Sequence, residues 1–307
     1  VARECWNGRQ ARLRILCPQG RVGSSPISRS MRILKDTFVF FRIFSYIKIK
    51  RRTMKIAVIT GASSGIGKEL CYAVQDYIPA VDELWLFARR KNALLDLSKT
   101  LYKRTRIFAY DLCEAEGLTA YRSALEEEQA EILFLINAAG FGKLGEVTEI
   151  PIEEQLGMLS LNARALTAFT LYSLPYMREN SRIIQMASAA AFLPQREFSV
   201  YAASKAYVYS FSLSLREELK KKKIAVTAVC PGPVDTAFFK VAGNEGKLKT
   251  IKSLFMQKPK KVAKEALVDS VLNRPLSICG LPMKLFYFLT QIVPDSILLR
   301  ILDKLYR

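Results

Sequence analysis

The 307-residue sequence has 47 Lys and Arg against 28 Asp and Glu, a formal charge of +19, half of its residues hydrophobic, and no histidine. A chain of this length buries a full core, and two large domains are not expected. The missing imidazole excludes the usual general base, the usual zinc ligand and any Ser-His-Asp or Cys-His pairing, so chemistry must rest on other side chains or on a cofactor.

The charge is uneven. Residues 1–53 carry 13 Lys and Arg against 2 Asp and Glu, a net of +11 that leaves +8 for the rest. This segment shows no sustained helical or strand period, and it ends in an apolar patch, Phe38 to Ile49, that Arg42 and Lys48 interrupt. The patch is too short to span a bilayer and lacks a small-residue cleavage site after it. Residues 1–53 are therefore expected to be a basic extension outside the fold, disordered or upstream of a native start at Met54, with a membrane-surface anchor as the lesser alternative. The overall basic balance is read as that of an enzyme for a phosphorylated cofactor; nucleic-acid binding is not expected. The six cysteines (Cys5, Cys17, Cys71, Cys113, Cys230 and Cys279) show no metal-ligand spacing. They read as reduced thiols in a cytoplasmic protein, with no metal site.

From Lys55 onward, short β-rich runs alternate with longer amphipathic stretches. Strands are predicted at Ile56–Ile59, Glu83–Phe87, Arg106–Ala109, Ile132–Ile136, Arg182–Met186, Ile224–Val229 and Ser277–Cys279. Helices are predicted to begin near Ile66, Lys91, Glu114, Ile152, Val200 and Pro259. The alternation defines an α/β domain over residues 54–307: a Rossmann-like, doubly wound parallel sheet of about seven strands with helices on both faces. In such a sheet the ligand crevice lies at the carboxyl ends of the strands.

Directly after the first strand stands Thr60-Gly61-Ala62-Ser63-Ser64-Gly65-Ile66-Gly67, followed by an amphipathic helix. Glycines there permit a tight turn and close backbone approach to a pyrophosphate, while the helix start offers free N–H groups to the anion. The second strand ends in Phe87-Ala88-Arg89-Arg90, with Ala88 where an NAD-preferring fold usually carries an acid. No carboxylate stands near Arg89 in sequence, so its guanidinium is free to grip a 2′-phosphate, and NADP(H) is the expected cofactor. Farther along, Tyr201 and Lys205 are four residues apart within a predicted helix. That spacing puts phenol and ammonium on one face, where the cation is expected to lower the phenol pKa.

Taken together, these residues resemble the short-chain dehydrogenase/reductase family across about Met54 to Arg307. The motifs stand in family order: the Thr60 to Gly67 turn, Asp111-Leu112, Asn137-Ala138-Ala139-Gly140, Asn162, Ser188, Tyr201 with Lys205, and Pro231-Gly232. The resemblance implies a hydride exchanged between nicotinamide and a carbonyl or alcohol carbon. It makes Tyr201 the proton donor in reduction and the base in oxidation, and Ser188 the group that orients the substrate oxygen. Lys205 then holds the nicotinamide ribose and Asn162 supports a proton-carrying water. Gly61, Ser63, Ser64, Gly65, Ile66 and Gly67 cradle the phosphates. Asp111 and Leu112 flank the adenine, Asn137, Ala138, Ala139 and Gly140 steady the central strand beside the cofactor, and Pro231-Gly232 borders the nicotinamide. The family also implies a dimer or tetramer built through the helices that carry Asn162 and Tyr201.

The segments expected to line the cleft are apolar, namely Ala189 to Pro194, Phe238-Phe239 and Leu254-Phe255-Met256, which favours a hydrophobic, lipid-like, steroid-like or aromatic ketone. From about Leu281 the tail is apolar, with two helical patterns around Met283–Ile292 and Ile297–Leu305 separated by Pro294. A lid over the cleft or an oligomer interface is expected there ahead of a membrane-surface contact, because the tail itself holds few charges. The competing function is a non-catalytic NADP(H)-binding redox sensor, which would not need Ser188, Tyr201 and Lys205 together.

Overall fold

A computed structural model describes residues 53–236, 238 and 256–306, with side chains described as far as Arg300. Apart from Thr53, the expected N-terminal extension lies outside the described residues, as do Phe239, Leu254 and Phe255. In chain order the elements are β1 (Lys55–Thr60), α1 (Gly65–Tyr77), β2 (Glu83–Phe87), α2 (Lys91–Thr100), β3 (Arg104–Phe108), α3 (Ala115–Glu128) and β4 (Glu131–Asn137). Then come α4 (Ile152–Leu159), a π turn (Ser160–Ala165), α5 (Leu166–Ser173), β5 (Arg182–Met186), α6 (Ser199–Leu219) and β6 (Ala225–Val229). The chain continues through α7 (Pro259–Val271), β7 (Leu276–Ser277), α8 (Leu281–Ile292) and α9 (Asp295–Tyr306).

The seven strands form one parallel sheet in the order β3-β2-β1-β4-β5-β6-β7. The order reverses between β1 and β4, which opens a crevice at their carboxyl ends. Strand alternation feeds a core on each face of the sheet. Ala57, Ile59, Leu84 and Leu86 pack with Leu70 and Val74 of α1 and Val262 and Leu267 of α7. Ile56, Val58, Trp85 and Phe87 face the other way, against Tyr121 of α3, Phe169 of α5 and Leu215 of α6. There Phe87 stacks on Phe108 at 4.2 Å and meets Phe169 edge-on at 5.0 Å. Truncating a ring so enclosed to alanine costs about 3–5 kcal/mol.

The predicted strands recur with shifted ends. β3 starts two residues early because Arg104 pairs in register with Glu83 and reaches its carboxylate at 3.5 Å. β7 closes after Ser277, which accepts from the Cys230 amide at 2.8 Å, while Ile278 and Cys279 run on as buried chain outside the ladder. Among the described residues, no helix is long and apolar enough to cross a membrane.

At the centre of the sheet, Asn137 Nδ2 donates to Thr170 Oγ1 at 3.1 Å and to Gln185 Oε1 at 3.0 Å, and Gln185 Nε2 donates to Thr170 Oγ1 at 2.9 Å. All three side chains are buried. Unpaired polar groups at this depth are costly, so the triangle fixes β4, β5 and α5 in one arrangement beneath the crevice.

Candidate active site

The glycine turn sits where β1 gives way to α1. Gly61 and Gly65 adopt φ of +70° and +55°, values that side chains with a Cβ disfavour. A Cβ on Gly61 would lie 2.8 Å from the Ala139 backbone, and one on Gly67 2.3 Å from the Gly61 carbonyl oxygen. The first turn therefore closes on β4's Ala138-Ala139 and on itself. Thr60 locks it, its Oγ1 accepting from the Ala139 amide at 3.1 Å. Ser64, in the N-cap position, makes no side-chain cap to α1, and the first turn of that helix holds no acid. Those N–H groups and the helix dipole suit a pyrophosphate, so the turn fits a dinucleotide.

Two guanidiniums stand beside this turn. Arg90 Nη2 donates to Ser63 at 3.3 Å to the hydroxyl and 3.4 Å to the carbonyl oxygen. Arg89 Nη1 lies 3.6 Å from Asp111 Oδ2. The sequence places no carboxylate near Arg89, but the fold does, because β3 delivers Asp111 to the end of β2. Asp111 also accepts from the Cys113 amide at 2.9 Å, and Leu112 turns into the core.

β5 and α6 bring the proton-handling residues together. Ser188 stands two residues past β5 in extended backbone and caps a short 3-10 turn, its Oγ accepting from the Ala190 amide at 3.1 Å. Tyr201 and Lys205 lie one turn apart in α6, both buried, with Lys205 Nζ 5.7 Å from the Tyr201 ring centroid. Lys205 Nζ donates to the Met186 carbonyl at 2.8 Å. Asn162 occupies the π turn, and its amide clamps Phe141 in both directions, Oδ1 accepting from the Phe141 amide at 3.1 Å and Nδ2 donating to its carbonyl at 2.9 Å. Nδ2 also donates to Ser204 Oγ at 3.0 Å, which ties the π turn to α6. Gly140 completes the group: a Cβ there would stand 2.9 Å from Asn162 Oδ1 and 3.2 Å from Lys205 Nζ. Pro231 joins from β6, its carbonyl accepting from the Ala189 amide at 2.9 Å.

Burial dominates the electrostatics. It pushes the Tyr201 phenol up to about 12, with a hydrogen bond to the Ser188 side chain pulling the other way. It pushes the Lys205 ammonium down to about 8, opposed by the neighbouring Cys230 thiol. The spacing of phenol and ammonium predicts a lowered Tyr201 pKa; in this structure the shift runs upward, because burial of the phenol is its largest cause and the Ser188 hydrogen bond opposes it only in part.

Apolar side chains close in around this group. Phe198 stacks on Tyr201 at 4.2 Å, Phe238 tilts against it at 5.4 Å, and Gly142 admits both rings, since a Cβ there would meet Tyr201 at 2.7 Å and Phe238 at 2.8 Å. Met283 of α8 lies over Gly232, where a Cβ would fall 2.1 Å from its sulfur. Tyr287, one turn on, packs on Phe192 at 4.7 Å and meets Tyr209 Oη at 3.4 Å. Phe238 lies in a segment expected to line the cleft, and Met283 in the tail expected as a lid or an interface; Phe198 and Gly142 escape sequence reasoning although they sit close in sequence to recognised motifs.

The profile of the short chain dehydrogenase family matches residues 55–246, and the chain belongs to that family of oxidoreductases. It is 28% identical over 184 residues to an uncharacterized oxidoreductase of Staphylococcus epidermidis, covering 59% of this chain and 79% of the relative. A probable oxidoreductase of Mycobacterium bovis is 26% identical over 265 residues, covering 78% of this chain and 43% of the relative. Among solved structures, a short-chain dehydrogenase from Sphingobium yanoikuyae in complex with NADPH superposes with a TM-score of 0.65 at 26% identity, over 76% of this chain and 92% of that one. A short-chain dehydrogenase/reductase from Burkholderia phymatum in complex with NAD superposes at 0.66 and 21% identity, over 77% and 92%, a likeness of fold.

Proposed function

We propose that the protein is an NADP(H)-dependent oxidoreductase that interconverts a hydrophobic ketone or aldehyde and its alcohol. The observation that carries this reading is the meeting of Ser188, Tyr201 and Lys205 with Asn162 and Gly140 in the crevice that the glycine turn opens. Nicotinamide, when bound, supplies or accepts the hydride. Tyr201 donates its phenolic proton to the carbonyl oxygen in reduction and takes it back in oxidation, and Ser188 holds that oxygen. Lys205 positions the ribose and replenishes the proton, and Asn162 supports the water that reaches it.

The choice of NADP(H) rests on Arg89 and Arg90 beside the turn, with Ala88 in the place of an acid. An apolar substrate agrees with Phe141, Phe198, Phe238 and Met283 around the site. Exposed Leu156, Leu159, Leu171 and Tyr207 on α4, α5 and α6 support assembly with further copies through those helices. Among the described residues Cys71, Cys113, Cys230 and Cys279 are free thiols, which suits the cytoplasm. The test is a turnover screen of aliphatic, aromatic and steroid ketones with NADPH and with NADH, run beside Tyr201→Phe. Turnover with NADPH that the variant loses is expected; binding of NADPH without turnover of any ketone would favour a sensor.

A further inference from the structure

α8 presents two unlike faces. Toward the body, Met283 lies over Gly232 and Tyr287 packs on Phe192. On the opposite side, Leu281, Leu285, Phe288, Leu289 and Ile292 recur at helical spacing and are 79, 57, 59, 40 and 63% exposed. So many large apolar side chains on one short helix form a contiguous patch that water disfavours.

The border of this stripe is basic. Lys284 shares a shallow depression with Lys261 and Lys264 of α7, whose acids Glu265 and Asp269 are already engaged. Asp269 pairs with Arg274 at 2.7 Å, and Glu265 is hydrogen-bonded with the Cys279 side chain. Between residues 258 and 300, 7 Lys and Arg stand against 3 Asp and Glu. The tail sequence alone lacks the charges of a membrane face; α7 supplies them. An apolar helical stripe edged by lysines complements an anionic bilayer, with apolar side chains in the acyl boundary and ammonium groups among headgroup phosphates. A second copy suits it less well, because residues 281–294 hold no Asp or Glu and so the same stripe offers the lysine edge no anion.

We propose that α8 docks the protein on an anionic lipid surface, with Lys261, Lys264 and Lys284 at the headgroups. This inference is independent of the substrate, so it is tested without turnover. Full-length protein is sedimented with vesicles of phosphatidylcholine alone and with vesicles containing about a third phosphatidylglycerol. Binding to the anionic vesicles is expected, weakened about tenfold between about 0.05 and about 0.5 M salt. The exposed-site variant Leu285→Ser/Phe288→Ser/Ile292→Ser is expected to weaken it about tenfold further at equal circular dichroism. Lys261→Glu/Lys264→Glu is expected to abolish the preference for anionic lipid. Absence of binding to either vesicle overturns the proposal. Binding that survives the triple variant also overturns it, placing the contact elsewhere, as in the basic residues 1–53. So does a triple variant that turns an oligomer into a monomer in sedimentation velocity while vesicle binding is unchanged, since the stripe then belongs to a second copy.

Discussion

Lys205 Nζ donates to the carbonyl oxygen of Met186 at 2.8 Å, so the last residue of β5 holds the ammonium that shares a helix face with Tyr201. The contact keeps a buried cation in place at a cost in stability. Burial lowers the Lys205 pKa to about 8, below its value in the unfolded chain, so between pH 8 and 10.5 the unfolded state binds more protons. Stability contributed at this site is therefore lost below that window and recovered as pH rises through it. Lys205→Met is expected to stabilise the fold at pH 7 by about 3 kcal/mol from the removed charge, less about 1 kcal/mol for the lost hydrogen bond. Urea unfolding at pH 7 and near pH 10 checks this: the gain shrinks at the higher pH, and a variant less stable than the parent at pH 7 would refute the burial penalty. Turnover is expected to fall about a hundredfold or more.

Gly140 faces both Asn162 and Lys205 at distances that leave no room for a methyl group. Gly140→Ala is expected to lower kcat about tenfold or more and to weaken the Kd for NADPH by less than that, since it displaces Asn162 and Lys205 at the nicotinamide end and leaves the phosphate turn in place. Stopped-flow turnover beside a cofactor titration separates the two. An equal loss in both would mean that the methyl group disturbs the cofactor bed instead.

The pair Arg89–Asp111 is largely exposed and so weakly held, which leaves the Arg89 guanidinium available to a phosphate. Arg89→Ala and Arg90→Ala are each expected to weaken NADPH binding about tenfold and to leave NADH within about twofold. Fluorescence titration with both nucleotides decides it, and a loss common to the two would remove the 2′-phosphate from consideration.

Much of this site was open to reading before any coordinates. The glycine turn, the Tyr201 and Lys205 spacing and the alternating strands are local patterns, and each fixes backbone geometry within a few residues. The π turn at Ser160–Ala165 left no trace, because Asn162 stands in what reads as continuous helix and the change of hydrogen-bond register has no residue signature. Asp111 beside Arg89 and Met283 over Gly232 are products of topology, invisible to spacing. The direction of the Tyr201 shift is hidden for a related reason: a cation four residues away is visible in sequence, whereas the burial that raises the phenol is not.

Met283 fills the space above Gly232, from an element far along the chain. Met283→Ala is expected to raise kcat/KM for bulky ketones several-fold relative to small ones, as removal of a wall side chain enlarges the cleft. Competition between a small and a bulky ketone reads the ratio directly; an unchanged ratio would place Met283 outside the substrate path.

Proton donation by Tyr201 is tested most directly by Tyr201→Phe, with NADPH oxidation followed in the presence of a ketone that the parent turns over. Phenylalanine keeps the ring against Phe198 and Phe238 and removes only the hydroxyl. A kcat lower by about a hundredfold to ten-thousandfold, with the Kd for NADPH within about threefold, is the predicted result. A variant that turns over at the parent's rate would contradict it.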